Sequence, residues 1–570
     1  MASTTAMFTG LSGLNANSRN LDVIGNNIAN VNTTAFKGAR MMFSNVFSRT
    51  LGLGSPPSAE SGGANPTQVG LGVGIAGTQR DFRGGSISTT GDSRDLAIEG
   101  DGFFIVDRAG SRFFTRAGSF RPNAANELVT ISGERVMGFG VDHDFNVVPG
   151  ALAPVTIPVG TMTLAQATRN LRFTGNLNAA GDLPTRGSLI QLDALSTISG
   201  TPLSAATPLA DLQLAAAPGA PLLAPGQNFQ IDGATKGSKR LPPASLPVTA
   251  ATSVADLLTF LNQALGIQTT AGANPDGRAP GAALDPATGV ISITGNTGTA
   301  SDLAIDAAHL RVADAAGTVL ARPLTPAKSV TADGESVRTT FVAYDSLGTP
   351  ITMDLTMVLE SRGDAGTTWR YLAESGDDSD TDIILGSGQL SFDTSGQPAG
   401  ATTATVRVDR AGTGAASPQN LSFVFDSPSD RLTALADVGS AMAATFQDGS
   451  PLGTLANAAV GVDGLITGAF TNGLTRTLGQ VALATFANPE GLVDAGGNLF
   501  TSGAASGTAA ITAPLSLGAG RVLGGALELS NVDLSQEFIN MILASTGYSA
   551  ASRVITTTDQ LMQQLLVLGR

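Results

Sequence analysis

The residues with the clearest potential for chemistry lie in a glycine-rich segment, where Gly72-Val-Gly-Ile-Ala-Gly77 has the spacing G-x-G-x-x-G. In dinucleotide-binding proteins this motif follows a strand and opens a helix, whose N-terminus receives the pyrophosphate. Here a glycine-rich stretch precedes the motif, and Thr-Gln-Arg-Asp-Phe-Arg-Gly-Gly follows it. We therefore predict that the segment has a structural role and binds no cofactor.

A second candidate is the acidic run Asp378-Ser-Asp-Thr-Asp382, which resembles the start of a calcium-binding loop. Such a loop needs glycine at its sixth position and glutamate at its twelfth. This sequence has Ile383 and Gln389 at those positions. We interpret the run as a solvated acidic loop rather than a metal site.

Histidine and cysteine offer little further chemistry. The chain has no cysteine, which excludes disulfides, thiolate metal sites and a cysteine nucleophile. Its only two histidines are His143, in a turn-like Val-Asp-His-Asp-Phe context, and His309. The sequence contains neither a Ser/His/Asp signature nor a G-x-S-x-G elbow. We expect no catalytic, cofactor-binding or metal-binding residues and predict that the chain is not an enzyme.

The composition restricts the partners and the location. Charged residues make up 14% of the 570 residues, against about 25% in an ordinary globular domain, and the net charge is −14. An acidic balance argues against nucleic acid or an anionic membrane as the partner. No run of about 18 apolar residues predicts a membrane span, and the N-terminal segment lacks the regions of a conventional signal peptide. Sparse charge with abundant Gly, Ala, Ser and Thr favours an extracellular bacterial surface protein over a cytoplasmic one, provided that export needs no cleaved signal.

Both ends of the chain carry apolar residues at the spacing of a coiled-coil seam, which is 3.5 residues on average. We predict a helix at each end and a polymerisation seam made of Met7, Leu11, Leu14, Leu21, Ile28, Leu534, Phe538, Met541, Tyr548, Ile555, Met562 and Leu566. The opposite faces are polar but almost uncharged, with Asn and Gln in place of Glu and Lys. Two alternatives stay open: amphipathic helices docked on the chain's own core, or ends that become ordered only on assembly.

The region between these ends is predicted to be mostly β, with short alternating strands separated by turn signals. Residues 253–265 are the exception: Ser253 and Asp256 are spaced as a capping box, and Ala255, Leu258, Phe260, Leu261 and Leu265 fit an apolar helix face. A second helix is expected near 302–313. The fold class is therefore mostly β with α-helical termini and nested, discontinuous domains. The expected domains are terminal helices at 1–35 and 528–570, a Gly-rich arm or linker at 36–91 and 505–527, an inner β domain at 92–165 and 436–504, an outer β domain at 166–189 and 326–435, and an inserted, outermost α+β domain at 190–325.

Several segments, in this order, resemble the bacterial flagellar hook proteins of the axial rod and hook family. The resemblance is carried by Gly13–Ala16, Asn26–Gly38, Gly100–Val106, Phe341–Gly348, Asn472–Gly473, Leu478–Gly479, Leu483–Leu492, Gly496–Phe500, Gly525–Leu534 and Val554–Gln560. These segments bracket the chain from end to end. One departure is Ser545-Thr-Gly-Tyr548, where the family usually has a Gln-Arg-Ala-Tyr-like stretch. The glycine weakens a helix by about 1 kcal/mol relative to alanine and puts the local packing in doubt.

The resemblance implies a structural subunit that polymerises into a curved helical tube, a universal joint that carries torque from rod to filament around a central export channel. It implies a homopolymer whose partners are the distal rod protein, the hook cap, the hook–filament junction protein, the hook-length ruler and the flagellar type III export apparatus. It places the protein outside the cell without a cleaved signal peptide. Phe43 and Phe47 match the family's Phe-x-x-x-hydrophobic export-gate motif, whose alternative role is packing of the arm on a neighbour. A lysine–cysteine-derived crosslink, known in some members, is impossible here.

Four other interpretations compete with this one. Distal rod proteins share the ends but are shorter and lack the Tyr-Asp-Ser-Leu-Gly segment, and the hook–filament junction protein is not expected to carry Gly-Asp-Gly-Phe-Phe. An extracellular β-rich adhesin or carbohydrate-binding protein fits the composition but needs no paired terminal heptads. A Ser/Thr hydrolase would need a triad that the sequence does not show.

Overall fold

The computed structural model describes residues 2–59 and 61–568. It is mostly β, with 42% strand and 14% helix, as the sequence predicts. The α-helices of the described part are α1 (Ala2–Ala29), α2 (Val254–Ala264) and α3 (Leu534–Leu568). None of the helices in these described ranges is long and apolar enough to cross a membrane.

The strands are short and are joined mainly by turns. Before residue 160 they are β1 (Ala39–Asn45), β2 (Ser48–Gly52), β3 (Thr67–Gly70), β4 (Val73–Arg80), β5 (Ile87–Thr89), β6 (Leu96–Glu99), β7 (Phe103–Arg108), β8 (Ser111–Thr115), β9 (Arg121–Pro122), β10 (Leu128–Val129), β11 (Arg135–Val141) and β12 (Val147–Pro154). The middle of the chain contains β13 (Thr163–Gln166), β14 (Asn170–Asn176), β15 (Leu189–Gln191), β16 (Leu195–Thr197), β17 (Leu212–Leu214), β18 (Asn228–Ile231), β19 (Thr235–Lys236), β20 (Lys239–Arg240), β21 (Ala244–Pro247), β22 (Gly281–Leu284), β23 (Ile291–Thr294), β24 (Leu303–Ala304), β25 (Leu310–Ala313), β26 (Val319–Ala321), β27 (Ala327–Val330), β28 (Ser336–Tyr344), β29 (Pro350–Gly363), β30 (Gly366–Ser375), β31 (Ile384–Phe392), β32 (Pro398–Ala399), β33 (Thr403–Val408), β34 (Gln419–Val424), β35 (Leu432–Thr433) and β36 (Ala441–Gln447). The last part contains β37 (Ser450–Val460), β38 (Leu465–Phe470), β39 (Thr475–Val481), β40 (Leu483–Thr485), β41 (Val493–Gly496), β42 (Leu499–Thr501), β43 (Ala510–Thr512), β44 (Arg521–Gly524) and β45 (Ala526–Glu528).

The chain divides into two compact units. The first is formed by the described residues of Met1–Thr163 and Thr454–Arg570, and the second is Leu164–Gly453. Because the first unit is built from both ends of the sequence, the second is inserted into it. The finer domain boundaries given by the sequence remain a prediction.

The segment expected as an extended arm, 36–91, contains paired strands. β1 and β4 form an antiparallel ladder from Ala39↔Arg80 to Asn45↔Val73, and β2 pairs with β3 further along the same hairpin. Most of the side chains on these strands are exposed. The other expected linker, 505–527, also contains strands: β43 pairs with β40, and β44 pairs with β6. Both segments are therefore hydrogen-bonded parts of the first unit rather than free linkers.

The sheet of the first unit that contains β7, β8 and β11, named the inner sheet here, has two apolar faces along β7. Phe104 and Val106 pack into one cluster with residues such as Leu96 and Leu483. Phe103 and Ile105 point the opposite way into a second cluster, which includes Phe500. Successive residues of a strand alternate between the two faces of a sheet, so the run Phe-Phe-Ile-Val supplies both cores at once.

The second unit contains a five-stranded antiparallel sheet in the order β28-β29-β30-β31-β32, and a second sheet built around β14. Its core includes Trp369, Phe173 and Phe423, all fully buried. β36 pairs with β14, from Leu171↔Gln447 to Asn176↔Ala441. Residues 441–447 therefore belong to this unit, whereas the sequence analysis assigned them to the inner domain; the ladder to β14 decides their placement.

The helix expected at 253–265 is confirmed as α2, and its capping box is complete. Ser253 accepts a hydrogen bond from the Asp256 N–H, and Asp256 accepts one from the Ser253 N–H at 2.8 Å. The buried face, however, is formed by Val254, Leu257, Phe260, Leu261 and Ala264, whereas Ala255 is exposed and Leu258 is only partly buried.

The prediction of a second helix near 302–313 is wrong. This segment forms β24 and β25, and β25 pairs with β18 from Leu310↔Ile231 to Ala313↔Asn228. Leu310 and Val312 alternate with the half-exposed Arg311 and are buried in the core of the insertion. A two-residue period in a short apolar segment fits a strand better than a helix.

Candidate assembly surface

The two terminal helices pack against each other within the single chain and run antiparallel. Near one end of the pair, Asn27 Nδ2 donates to Glu537 Oε1 at 3.2 Å. Near the other end, a β-carbon added to Gly10 would lie 3.0 Å from Cγ1 of Ile555. Both helices are thus formed and paired in the single chain, whereas one alternative left open by the sequence had them ordering only on assembly.

The face buried between the helices consists mainly of small or polar side chains. The buried positions are Gly10, Ala16, Ile24 and Asn27 on α1, and Ala544 and Thr558 on α3. Gly547 also belongs to this contact, since a β-carbon there would lie 2.9 Å from Oδ1 of Asn17. The glycine that appeared to weaken α3 therefore permits the close approach of α1, which explains why helix propensity alone does not decide that position.

The predicted seam residues lie mostly beside this contact rather than in it. Met7 and Leu11 are exposed, as are Leu534, Phe538, Tyr548 and Met562. Leu14, Leu21 and Ile28 on α1, and Met541 and Ile555 on α3, are partly buried. The side chain of Leu566 lies outside the described part of the chain. On α3 the contact residues Glu537 and Gly547 each precede a predicted seam residue, Phe538 and Tyr548, by one position, so most of the seam lies beside the contact.

Further large apolar side chains are exposed on the same helices, and the seam pattern missed them. They include Phe8, which is 70% exposed, Ile542 at 64% and Leu543 at 65%, together with Ile539, Val554 and Leu561. The sequence signal was available in the apolar doublets Phe538-Ile539 and Ile542-Leu543, which make the apolar stripe wider than a strict seam. We name the exposed apolar residues of α1 and α3 the terminal stripe: Met7, Phe8, Leu11, Leu534, Phe538, Ile539, Ile542, Leu543, Tyr548, Val554, Leu561 and Met562.

The terminal helices carry very few charges. Arg19 and Asp22 are the charged residues of α1, and Glu537, Arg553 and Asp559 are those of α3. A solvated helix normally carries oppositely charged residues on its outer face. The surface around the terminal stripe is therefore neutral and polar, with little charge to keep another apolar surface away.

The arm hairpin lies along α1. The Ser12 hydroxyl accepts a hydrogen bond from the Val73 N–H at 3.2 Å. Phe43 is on β1 and Phe47 follows it in the chain; they are 45% and 73% exposed. Val46, Leu51 and Leu53 are also exposed on the same hairpin. Neither phenylalanine is buried in the core of its own chain.

A buried ion pair lies where the terminal segments meet the inner strands. Lys37 Nζ donates to Glu528 Oε1 at 2.6 Å, and neither side chain is accessible to solvent. Arg116 is also buried, with its Nη1 atom 3.5 Å from Glu528 Oε2. Burial lowers the pKa of Lys37, although Glu528 opposes that shift, and burial likewise lowers the pKa of Arg116.

The motifs that suggested other chemistry lie in unrelated surroundings. Most of the G-x-G-x-x-G segment lies on β4, in the hairpin with β1. His143 is exposed in the turn between β11 and β12. Asp378 accepts hydrogen bonds from the N–H groups of Ser379 and Asp409, and burial raises its pKa to about 6. Within residues 2–59 and 61–568, no group of three or more acidic, histidine or cysteine residues is placed to hold a metal ion.

Four family models match the chain in sequence order. They are the flagella basal body rod protein at residues 7–37, the flagellar hook protein FlgE/F/G D1 domain at 97–171, the flagellar basal body protein FlaE D2 domain at 314–450, and the flagellar basal body rod FlgEFG protein C-terminal region at 523–568. The first and last of these cover most of α1 and α3. A flagellar hook protein FlgE of Treponema pallidum is 29% identical over 571 residues, which span 99% of each chain. This chain belongs to the flagellar hook protein family.

Other members of the hook family match over similar lengths. The flagellar hook protein FlgE of Salmonella typhimurium is 27% identical over 560 residues and 98% of each chain. A crystal structure of Helicobacter pylori hook protein FlgE2 aligns with 76% of this chain and 98% of its own, at 17% identity and a TM-score of 0.37, which is too low to compare the two folds. The full-length matches to hook proteins fit the Tyr-Asp-Ser-Leu-Gly segment, which the shorter rod proteins are expected to lack.

Proposed function

We propose that this chain is a structural subunit of the bacterial flagellar hook and acts as a building block rather than as an enzyme. The observation that carries the proposal is the terminal stripe, a set of large apolar side chains left exposed on the two terminal helices of a chain that belongs to the hook family. Exposed apolar surface on this scale marks a site of association in a soluble protein. The partner that fits is a second copy of the same chain.

The subunits assemble head to tail. A heterologous interface that does not close on itself generates a helical polymer of unlimited length. In this proposal the paired helices α1 and α3 form the inner layer of a curved tube, and the terminal stripe of one copy packs against neighbouring copies. The predicted seam residues contribute to that packing, with Phe8, Ile539, Ile542 and Leu543 added to the set.

The sparse charge on α1 and α3 suits the lining of a central channel. A channel that passes unfolded axial proteins must not bind them, and neutral Asn, Gln, Ser and Thr side chains offer few strong ionic contacts. Weak polar contacts between the second units, Leu164–Gly453, of neighbouring copies would permit sliding as the tube bends. The tube would then act as a universal joint that carries torque from rod to filament.

The same proposal gives the remaining partners and the location. The chain would leave the cell through the flagellar type III export apparatus without a cleaved signal, and it would meet the hook cap, the hook-length ruler, the distal rod protein and the hook–filament junction protein. Phe43 and Phe47 would serve as the export-gate motif. Their exposure supports this role, since a receptor can reach both rings.

The test uses the full chain with two variants. Ile542→Gln combined with Leu543→Gln makes part of the stripe polar, and Ile131→Gln is the control, because Ile131 is an exposed isoleucine that belongs to neither terminal helix. Negative-stain images should show uniform tubes for the parent chain and the control, and dispersed particles for the double variant. Equal tube formation by the double variant would refute the assembly surface.

A further inference from the structure

Glu528, at the end of β45, connects segments from distant parts of the first unit. Its Oε1 atom accepts from Lys37 Nζ at 2.6 Å and from the Gly85 N–H at 2.8 Å. Its backbone carbonyl accepts from the Ala35 N–H at 2.8 Å, and the residue pairs with Ile87 across the ladder to β5. The segment after α1, the strand after the arm and the segment before α3 therefore meet at one residue.

Two asparagine side chains extend the same contact through backbone groups. Asn27 Nδ2 donates to the Ala39 carbonyl at 2.7 Å, and its Oδ1 accepts from the Ala39 N–H at 3.0 Å. Asn531 Oδ1 accepts from the Gly38 N–H at 2.8 Å, while its Nδ2 donates to the Asp81 carbonyl at 2.8 Å. Backbone partners fix the path of the chain, so these bonds set where each terminal helix joins the rest of the unit.

Arg116 connects this contact to the inner sheet. Its Nη2 atom donates to the Gly100 carbonyl at 2.8 Å, and its Nη1 atom lies 3.5 Å from Glu528 Oε2. We name Asn27, Lys37, Arg116, Glu528 and Asn531 the junction cluster. It buries two cations against one carboxylate, and Glu528 Oε2 and Arg116 Nε have no hydrogen-bond partner among the described residues.

Such a cluster is a poor way to gain stability. Buried charges are costly to desolvate, and well-packed apolar side chains of similar volume are often at least as stable. What buried charges can contribute is a unique geometry, because any displacement separates a buried carboxylate from its cations. The junction cluster has this property between the terminal helices and the inner sheet.

We propose that Glu528 is a positioning residue that holds the terminal helix pair at one orientation to the inner β strands. Force on the helices then passes into those strands through buried ionic and hydrogen bonds rather than through a flexible linker. The force-transmitting purpose rests on the proposed hook function; the fixed orientation is a property of the unassembled chain. Glu528→Gln keeps the size of the side chain but removes the charge that balances Lys37 and Arg116.

The experiment measures the orientation directly in dilute, unassembled protein. Because the chain has no cysteine, Ser111→Cys on β8 and Ser545→Cys on α3 give two unique, exposed positions for spin labels. Pulsed electron–electron double resonance should give one narrow distribution of distances between the two labels in the parent chain. In Glu528→Gln this distribution should be roughly twofold broader. Glu99→Gln is the matched control, since Glu99 forms an exposed ion pair with Arg521 on the neighbouring strands. A narrow, unchanged distribution in Glu528→Gln would overturn the proposal.

A second variant distinguishes loss of helix positioning from simple unfolding. Hydrogen exchange of peptides from 96–106 reports whether the inner strands remain folded in Glu528→Gln. Where they do not, Lys37→Met and Arg116→Met combined with Glu528→Leu removes all three buried charges and replaces them with apolar side chains; this triple variant should fold and still show the broad distribution. A narrow distribution in the triple variant would show that the charges do not position the helices. Failure of the parent chain to form tubes would refute the hook function and leave these distances unaffected.

Discussion

Gly10 of α1 lies directly against Ile555 of α3, where an added β-carbon would be 3.0 Å from Cγ1 of that isoleucine and 3.3 Å from the Ala551 carbonyl. A side chain at position 10 would have to displace Ile555, because a β-carbon 3.0 Å away is closer than ordinary van der Waals contact. The pairing of the two ends of the chain therefore depends on a small residue in an otherwise apolar stretch.

Gly10→Leu should open the helix pair. The inserted side chain overlaps α3, and overpacking of this kind costs about 1–3 kcal/mol. Hydrogen exchange in peptides from both helices should accelerate by about tenfold or more. Gly25→Leu is the control, because no atom lies within 4 Å of a β-carbon at Gly25. Equal acceleration in both variants would mean that the helices do not depend on this contact.

Glu374→Gln should destabilise the second unit strongly. Glu374 forms a buried ion pair with Lys236, whose Nζ atom also donates to the Gly266 carbonyl at 2.6 Å. Removing one partner of a buried pair leaves an uncompensated charge and costs about 3–5 kcal/mol. Trp369 is the only tryptophan of the chain and is buried in this unit, so its fluorescence during urea unfolding reports the change.

The control for that measurement is Glu360→Gln. Glu360 pairs with Arg370 on the same sheet, but both side chains are partly exposed. Its loss should cost less than about 1 kcal/mol. A shift of similar size in both variants would show that burial of the Lys236–Glu374 pair does not set its contribution.

Asp378→Asn should stabilise the second unit at neutral pH. Burial raises the pKa of Asp378 to about 6, above its ordinary value of 3.8, so ionising it in the folded state is unfavourable. Between these two values the folded state binds more protons than the unfolded state, and stability falls as pH rises through that window. At pH 7.5 the variant should unfold at a Tm roughly 2–4 °C above the parent, with no difference at pH 4. The same difference at both pH values would rule out the carboxyl as its source.

Phe43→Ala combined with Phe47→Ala should reduce secretion several-fold and leave the unfolding of the chain unchanged, since both rings are largely exposed. The amount of protein in the culture medium of a flagellated host measures the effect. Val69→Ala is the control because it truncates another exposed apolar side chain of the same hairpin. Normal secretion of the double variant would remove the export role, and equal loss in the control would assign the effect to the arm as a whole.

The sequence predicted what depends on local pattern. The 3.5-residue spacing identified both terminal helices, and Ser253 with Asp256 identified the start of α2. It could not predict features that depend on contacts between distant segments. The pairing of β36 with β14 joins residues more than 260 positions apart, and the junction at Glu528 joins Lys37 to the far end of the chain.

The predicted seam also shows that sequence spacing does not determine which individual residues form a contact. Spacing located an apolar stripe on α3, but it could not show that Ala544 and Gly547 face α1 while Phe538 and Ile542 face outward. Small residues give a weak hydrophobic signal, yet they determine how closely two helices approach. The predicted seam positions therefore identified mostly side chains that lie beside the contact between α1 and α3.

The most direct test of the assembly proposal is a helical reconstruction of tubes grown from the full-length chain by electron cryomicroscopy. The proposal predicts that α1 and α3 form the innermost layer and that Phe538, Ile542 and Leu543 of each copy are buried against a neighbouring copy. Tubes in which these three side chains face solvent, or tubes held together only by the second unit, would contradict it.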